Sequence, residues 1–224
     1  MSRTVLLRPK PHDRRDVWNA DLLRGCRFDG EWEMPVLQSC DCIPEKLTVF
    51  TNAQTKLADG SFIHFYEDDY LFERIWRIPK RYLSLIKAYG GAIAPDFSIY
   101  REMPLAQQMH NIFRSRTLGY WWSQNGVKVI PNVRWGDERT YKFCFDGLPK
   151  NSVVAIGTHG CVKHTDDRRY FFNGFIEMLD RITPKKIIVY GSASDRIFSP
   201  LFSCNTEIIH FESDFSRVHK RKDI

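Results

Sequence analysis

The chain has 224 residues, 43% of them hydrophobic and 27% charged, which is enough apolar side chain for one sizeable core and excludes general disorder. Lysine and arginine outnumber aspartate and glutamate 33 to 27, a formal net charge of +6; that balance suits a polyanionic partner and equally a soluble protein with solvated basic ends. No apolar run approaches the roughly 18 residues of a membrane-spanning helix, and Met1 to Arg15 lack the apolar stretch of a secretory signal, so we expect a cytoplasmic protein with no membrane partner.

Residues 1–46 are punctuated by Pro9, Pro11, Gly25, Gly30, Pro35 and Pro44, which reads as an arm and an irregular N-terminal cover with a short helix near Arg14–Leu23. Arg3, Arg8, Lys10, Arg14 and Arg15 lead the chain, and Arg217, His219, Lys220, Arg221 and Lys222 close it within a basic tail, residues 213–224. Two arms laid on phosphates and two solvated ends are both open readings. Among the six cysteines, Cys26, Cys40 and Cys42 offer three zinc ligands, with His12 or His64 as a fourth. No C-x-x-C pair is present, so reduced, partly buried thiols are the simpler expectation.

Between residues 47 and 212 short β-branched and aromatic runs alternate with helical stretches. The runs are Leu47–Phe50, Phe62–Tyr66, Ala92–Ala94, Val127–Val133, Ser152–Ile156, Ile187–Tyr190 and Glu207–Phe211. Asp68 and Asp69 head an apolar stripe of Leu71, Phe72, Ile75 and Trp76, and Pro79 starts a second helix that ends at Gly90-Gly91. Pro104 opens a longer helix through Gln124, and Phe171–Ile182 gives another. This alternation predicts an α/β fold with a mainly parallel sheet, either open or an incomplete or irregular (β/α) barrel.

Parallel α/β sheets hold ligands beyond the carboxyl ends of their strands, and polar residues collect at those ends here. Asp96 follows the third run and could act as nucleophile, general base or metal ligand, or cap a turn through Ser98. Asp68 and Asp69 could share a divalent cation with it or only offset a helix dipole. His159, in a glycine-lined loop, is a candidate proton carrier. Asn132, Arg134 and Trp135 could hold a phosphate and stack a base, or Arg134 could pair with Asp137 while Trp135 packs on a helix. Gly157 and Gly160, and Gly191 with Ser192, could turn backbone amides toward a phosphate. Arg114, Arg116, Trp121 and Trp122 share one helix, as a basic-aromatic face or as core.

The stretches IHFYEDDYLFERIW, GAIAPDFSIYREMPLAQQMHNIFRSRTLGYWW, GVKVIPNVRWG, FCFDGLPKNSVVAIGTHG and KKIIVYG resemble a bacterial, phage and mobile-element family known as the domain of unknown function numbered 4417. The resemblance runs from about Met34 to Gly191 and implies a compact intracellular protein carried by mobile elements, without an assigned activity. The order strand-DFS-helix-strand, then AIGTHG, then P-x-x-IIVYG is also similar to part of a transglycosylase-type barrel that acts on nucleic-acid bases. Two functions remain open from the residues. One is an enzyme on nucleic acid or nucleotides, centred on Asp96 and assisted by Asp68 or Asp69 and His159. The other is a non-catalytic factor that binds nucleic acid or a host protein.

Overall fold

The computed structural model describes the main chain of residues 3–4, and residues 18–56, 58–158, 165–193, 198 and 206–213. Near the N-terminus, β1 (Arg3–Thr4), β2 (Arg27–Asp29) and β3 (Met34–Pro35) form a small antiparallel sheet that buries Phe28 and Met34. Of the helix expected over Arg14–Leu23, Ala20–Leu23 is a 3-10 turn; residues 14–17 lie outside the described residues.

The main sheet contains β4 (Leu47–Val49), β5 (Phe62–His64), β6 (Gly91–Ile93), β7 (Val129–Ile130), β8 (Val153–Gly157), β9 (Lys186–Tyr190) and β10 (Glu207–Phe211). All pairings are parallel and neighbours in space are neighbours in sequence, from β4 to β7 and from β8 to β10. A parallel bridge between Asn132 and Ala155 joins the two groups; Val133 N donates to Ala155 O and Ala155 N to Pro131 O, each at 2.8 Å. This unreversed order is that of a (β/α) barrel rather than of a doubly wound sheet. Among the described residues no pairing of β4 with β10 closes it, so the barrel is incomplete there. The expected single strand Val127–Val133 shrinks to two residues because Pro131 has no N–H to give the ladder.

Side-chain alternation divides the interior. Phe62, Ile93, Ile130, Val153, Ala155 and Ile188 face one another inside the curl, with Leu47, Ile209 and Phe211 against them. The opposite faces serve two outer cores, one holding Ile63, Ala92 and Val129 and the other Val154, Ile156, Ile187 and Val189. Such two-sided burial explains why the strands read as continuous apolar runs.

Helices cover the outside: α1 (Phe50–Ala53), α2 (Asp69–Phe72), α3 (Arg74–Arg77), α4 (Pro79–Ala88), α5 (Leu105–Gln124) and α6 (Thr165–Ile182). The apolar stripe expected after Asp68 spans both α2 and α3, with Phe72, Ile75 and Trp76 buried. Helix α6 starts six residues earlier than its apolar pattern, with Asp166 and Asp167 in the first turn, where carboxylates offset the dipole. No helix among the described residues is long and apolar enough to cross a membrane.

Helix α5 lies between the two outer cores, contributing Ile112 and Tyr120 to one and Leu118 and Trp122 to the other. Its arginines are packing elements, not an exposed basic face. Arg116 is fully buried and donates to the carbonyls of Asn132 and Cys144, both at 2.9 Å, and burial pulls its pKa down to about 10. Arg114 donates to Glu73 at 2.8 Å and lies over the Phe97 ring. The zinc reading loses one of its three thiols: Cys26 belongs to one outer core, whereas Cys40 and Cys42 lie together at the barrel interior.

Arg116→Leu should leave those carbonyls unsatisfied in a dry interior, at about 3 kcal/mol or more, which is roughly 6 to 12 °C for a chain of this size. Thermal unfolding checks it; an unchanged midpoint contradicts the role given to Arg116.

Candidate functional site

At the carboxyl ends of the strands the inward-facing residues change from apolar to polar and aromatic. Counting by twos from Phe62 brings His64 and then Tyr66 to the inner side, and counting from Ile130 brings Asn132. The same count along β8 and β9 gives Gly157 and Tyr190. A β-carbon on Gly157 would lie 2.7 Å from the Tyr66 ring, so the missing side chain makes room for that tyrosine. Tyr66 then stacks on Tyr190 with ring centroids 5.0 Å apart, and His64 approaches Tyr190 at 4.4 Å.

A chain of hydrogen bonds crosses this end. Tyr66 Oη donates to Asn132 Oδ1 at 2.9 Å, and Asn132 Nδ2 donates to Asp96 Oδ1 at 2.8 Å. Arg134 Nη1 reaches the other Asp96 oxygen at 3.2 Å. Burial pushes the Asp96 carboxyl above its ordinary range, while Arg134 and Asn132 pull it back. The phenol of Tyr66 is driven well above its usual value by burial and by the Asp96 charge, so it stays protonated as the donor.

Tyr66, Asp96 and Arg134 form the floor of a cleft of about 390 Å³, with Asn132 beneath them. Its walls include Glu67, Asp68, Tyr100, Arg101, Asp167 and Tyr170. Arg101 pairs with Asp167 at 2.6 Å and lies 4.3 Å over the Tyr170 ring, tying the segment after β6 to α6. Glu67 accepts from Thr51 N and Oγ1, and burial raises its pKa.

Several expected residues therefore converge: Asp96, Asn132 and Arg134 in direct contact, with Asp68 on the same cleft. Others take different work. Asp69 accepts from Ser98 N and Oγ, so Ser98 is held by Asp69 and the reading of Asp96 as its cap does not apply. Arg134 turns to Asp96, while Asp137 pairs with Arg139 at 2.8 Å. Trp135 is buried against Phe171 and rests on Gly174 of α6, where any β-carbon would collide with it; it is an anchor with one edge on the cleft and not a free stacking platform. The Gly191 amide donates to Phe211 O at 2.9 Å and so is not turned to a phosphate, whereas Gly157 ends β8 on the wall of the cleft. Ser192 is exposed. His159 and Gly160 lie outside the described residues. Among the described residues no three His, Cys, Asp or Glu side chains come together as a metal-binding group. Sequence reasoning passed over Tyr66 and Tyr190, counted there only as apolar; the two-residue alternation from Phe62 and Ile188 is the signal that finds them.

An incomplete parallel (β/α) barrel with a buried carboxylate at its strand-end cleft is the class this geometry defines. The chain matches the model of the family described as a domain of unknown function, DUF4417, over residues 26–212, and it belongs to that family. It is 37% identical over 163 residues to the Gene 1 protein of Mycobacterium phage L5, covering 71% of each chain. It is 36% identical over 163 residues to the Gene 1 protein of Mycobacterium phage D29, covering 71% of this chain and 60% of that one. The family is thus phage-associated. No solved structure matches the chain.

Because Asp96 is an acid with a raised folded pKa, the folded state holds its proton more tightly than the unfolded chain. That contribution is fully present below the ordinary value of 3.8 and is lost as pH rises through the folded value. The stability of the wild type relative to Asp96→Asn should therefore fall as pH rises through this window in urea unfolding; a rising difference contradicts the environment described. Gly157→Ala should displace the Tyr66 ring, an overpacking cost of about 1–3 kcal/mol, and weaken the tyrosine stack seen by near-ultraviolet circular dichroism; an unaltered spectrum and stability would show that the ring needs no such space.

Proposed function

We propose that this protein is an enzyme acting on the base portion of a nucleic acid or nucleotide, with Asp96 as its general acid–base. The observation that carries the reading is the Asp96 carboxylate, held on both oxygens by Asn132 and Arg134 at the floor of a cleft lined by Tyr66, Tyr100, Tyr170 and Phe171. A planar heterocycle fits between aromatic walls. A carboxyl group whose burial and ion pair oppose one another can change protonation as the reaction needs.

The charge of the cleft favours the base over the phosphate as the bound part. Glu67, Asp68, Asp96, Glu102 and Asp167 face only Arg101 and Arg134 among the lining residues, and both guanidiniums are paired with carboxylates. Surplus carboxylates accept from the amino and ring N–H groups of a base and repel a phosphate. Asp68 is available as a second polar contact, and the Asn132 carboxamide orients Asp96 and fixes which of its oxygens faces the ligand. In this family context the substrate class is a phage or host nucleic acid.

Incubation of the full chain with oligonucleotides and with mixed nucleosides, followed by mass analysis of the bases, tests the proposal. Altered, released or exchanged bases are expected with the wild type. Asp96→Asn should lose the conversion by a hundredfold or more, the usual scale of acid–base assistance, while its melting temperature moves by only a few degrees. Conversion unaffected by Asp96→Asn contradicts the assignment, and a protein that binds bases without converting them has the non-catalytic role.

A further inference from the structure

The charge that the cleft lacks lies immediately beside it. Helices α2 to α4, Asp69 to Ala88, contain the five cations Arg74, Arg77, Lys80, Arg81 and Lys87 and the two acids Asp69 and Glu73, of which Asp69 is taken by Ser98. Glu73 is consumed by Arg114, Lys80 pairs with Asp21 at 2.7 Å, and Arg74 donates to Gln54. Arg77, Arg81 and Lys87 are exposed and have no ion-pair partner among the described residues. This shoulder adjoins the cleft: Asp68 lines the cleft and precedes α2, Asp69 holds Ser98, and Glu73 holds Arg114 against Phe97. Arg77 follows Asp68 by nine residues, about 14 Å at helical rise. Tyr70 is 75% exposed on α2 and Tyr100 56% exposed on the cleft rim, so two large aromatic rings face solvent.

An acidic pocket next to a basic shoulder sets the length of the ligand. A mononucleotide bound by its base would hold its phosphate among surplus carboxylates. A strand with one base in the cleft can lay its neighbouring phosphates on the shoulder, where cations release their condensed counterions, and can stack flanking bases on exposed tyrosines.

We propose that α3 and the start of α4 form the docking face for the phosphates of a single-stranded polynucleotide, with Arg77 and Arg81 as the principal contacts, so that the substrate is a polymer and not a free nucleotide. This rests on the base-directed reading of the cleft and extends it.

The test is fluorescence anisotropy of the full chain with labelled mixed-sequence 12-mers of DNA and of RNA at several salt concentrations. Two lost phosphate contacts on a single strand flatten the slope of log affinity against log salt by about 1.4. Arg77→Ala with Arg81→Ala should show that flattening and weaken binding alike for every sequence. Arg77→Lys with Arg81→Lys should keep the wild-type slope, because charge carries the contact. Adenosine monophosphate at matched ionic strength should not displace the strand. Whichever 12-mer binds names the sugar. An unchanged slope in the double alanine variant, or no binding of either 12-mer at low salt, overturns the docking face. A flattened slope together with base conversion insensitive to Asp96→Asn leaves the docking face standing and removes the chemistry assigned to Asp96, so the two failures are separable.

Discussion

Asn132 is the residue on which the rest of the structure depends. Its main chain makes the parallel bridge to Ala155 that joins β4–β7 to β8–β10. Its carbonyl is held by the buried guanidinium of Arg116, and its carboxamide accepts from Tyr66 while donating to Asp96. One buried residue therefore connects the seam of the barrel, the central helix and the carboxylate of the cleft. Asn132 and Arg116 are buried and Asp96 is nearly so, so these bonds are made where leaving them unmade is expensive. That cost fixes the orientation of Asp96 more firmly than its own short loop could.

The cleft occupies one sector of the strand ends, between the segment after β6 and the start of α6. The Arg101–Asp167 pair spans that opening. It is partly solvated, so its worth is modest, and its effect is to set the spacing of the walls rather than to stabilise the chain. Acidic walls and a basic shoulder then divide the recognition of a nucleic acid into base and backbone, consistent with general experience that phosphate contacts position and base contacts specify.

Much of this was legible in the sequence. Buried parallel strands read as short apolar runs, and six of the seven coincide with β4–β6 and β8–β10 to within two residues. The strand-end rule places Asp96, Asn132 and Arg134 at one end of the sheet, where the structure brings them into contact. Partners across the fold were not legible, because nothing local distinguishes Asp69 gripping Ser98 from Asp69 offsetting a dipole, or Arg116 buried among carbonyls from Arg116 on a basic face. Gly157 illustrates the limit best: its sequence setting, before Thr158-His159-Gly160, suggests a phosphate loop, whereas its use is decided by the Tyr66 ring arriving from a strand ninety residues earlier.

Carbon-13 magnetic resonance of aspartate-labelled protein, titrated with pH, measures the state of Asp96 directly, with assignment by Asp96→Asn. The account predicts a carboxyl that titrates above the ordinary aspartate range and moves higher in Asn132→Ala, which removes a hydrogen bond to the charged form. A carboxyl titrating at the ordinary value and indifferent to Asn132→Ala would contradict it.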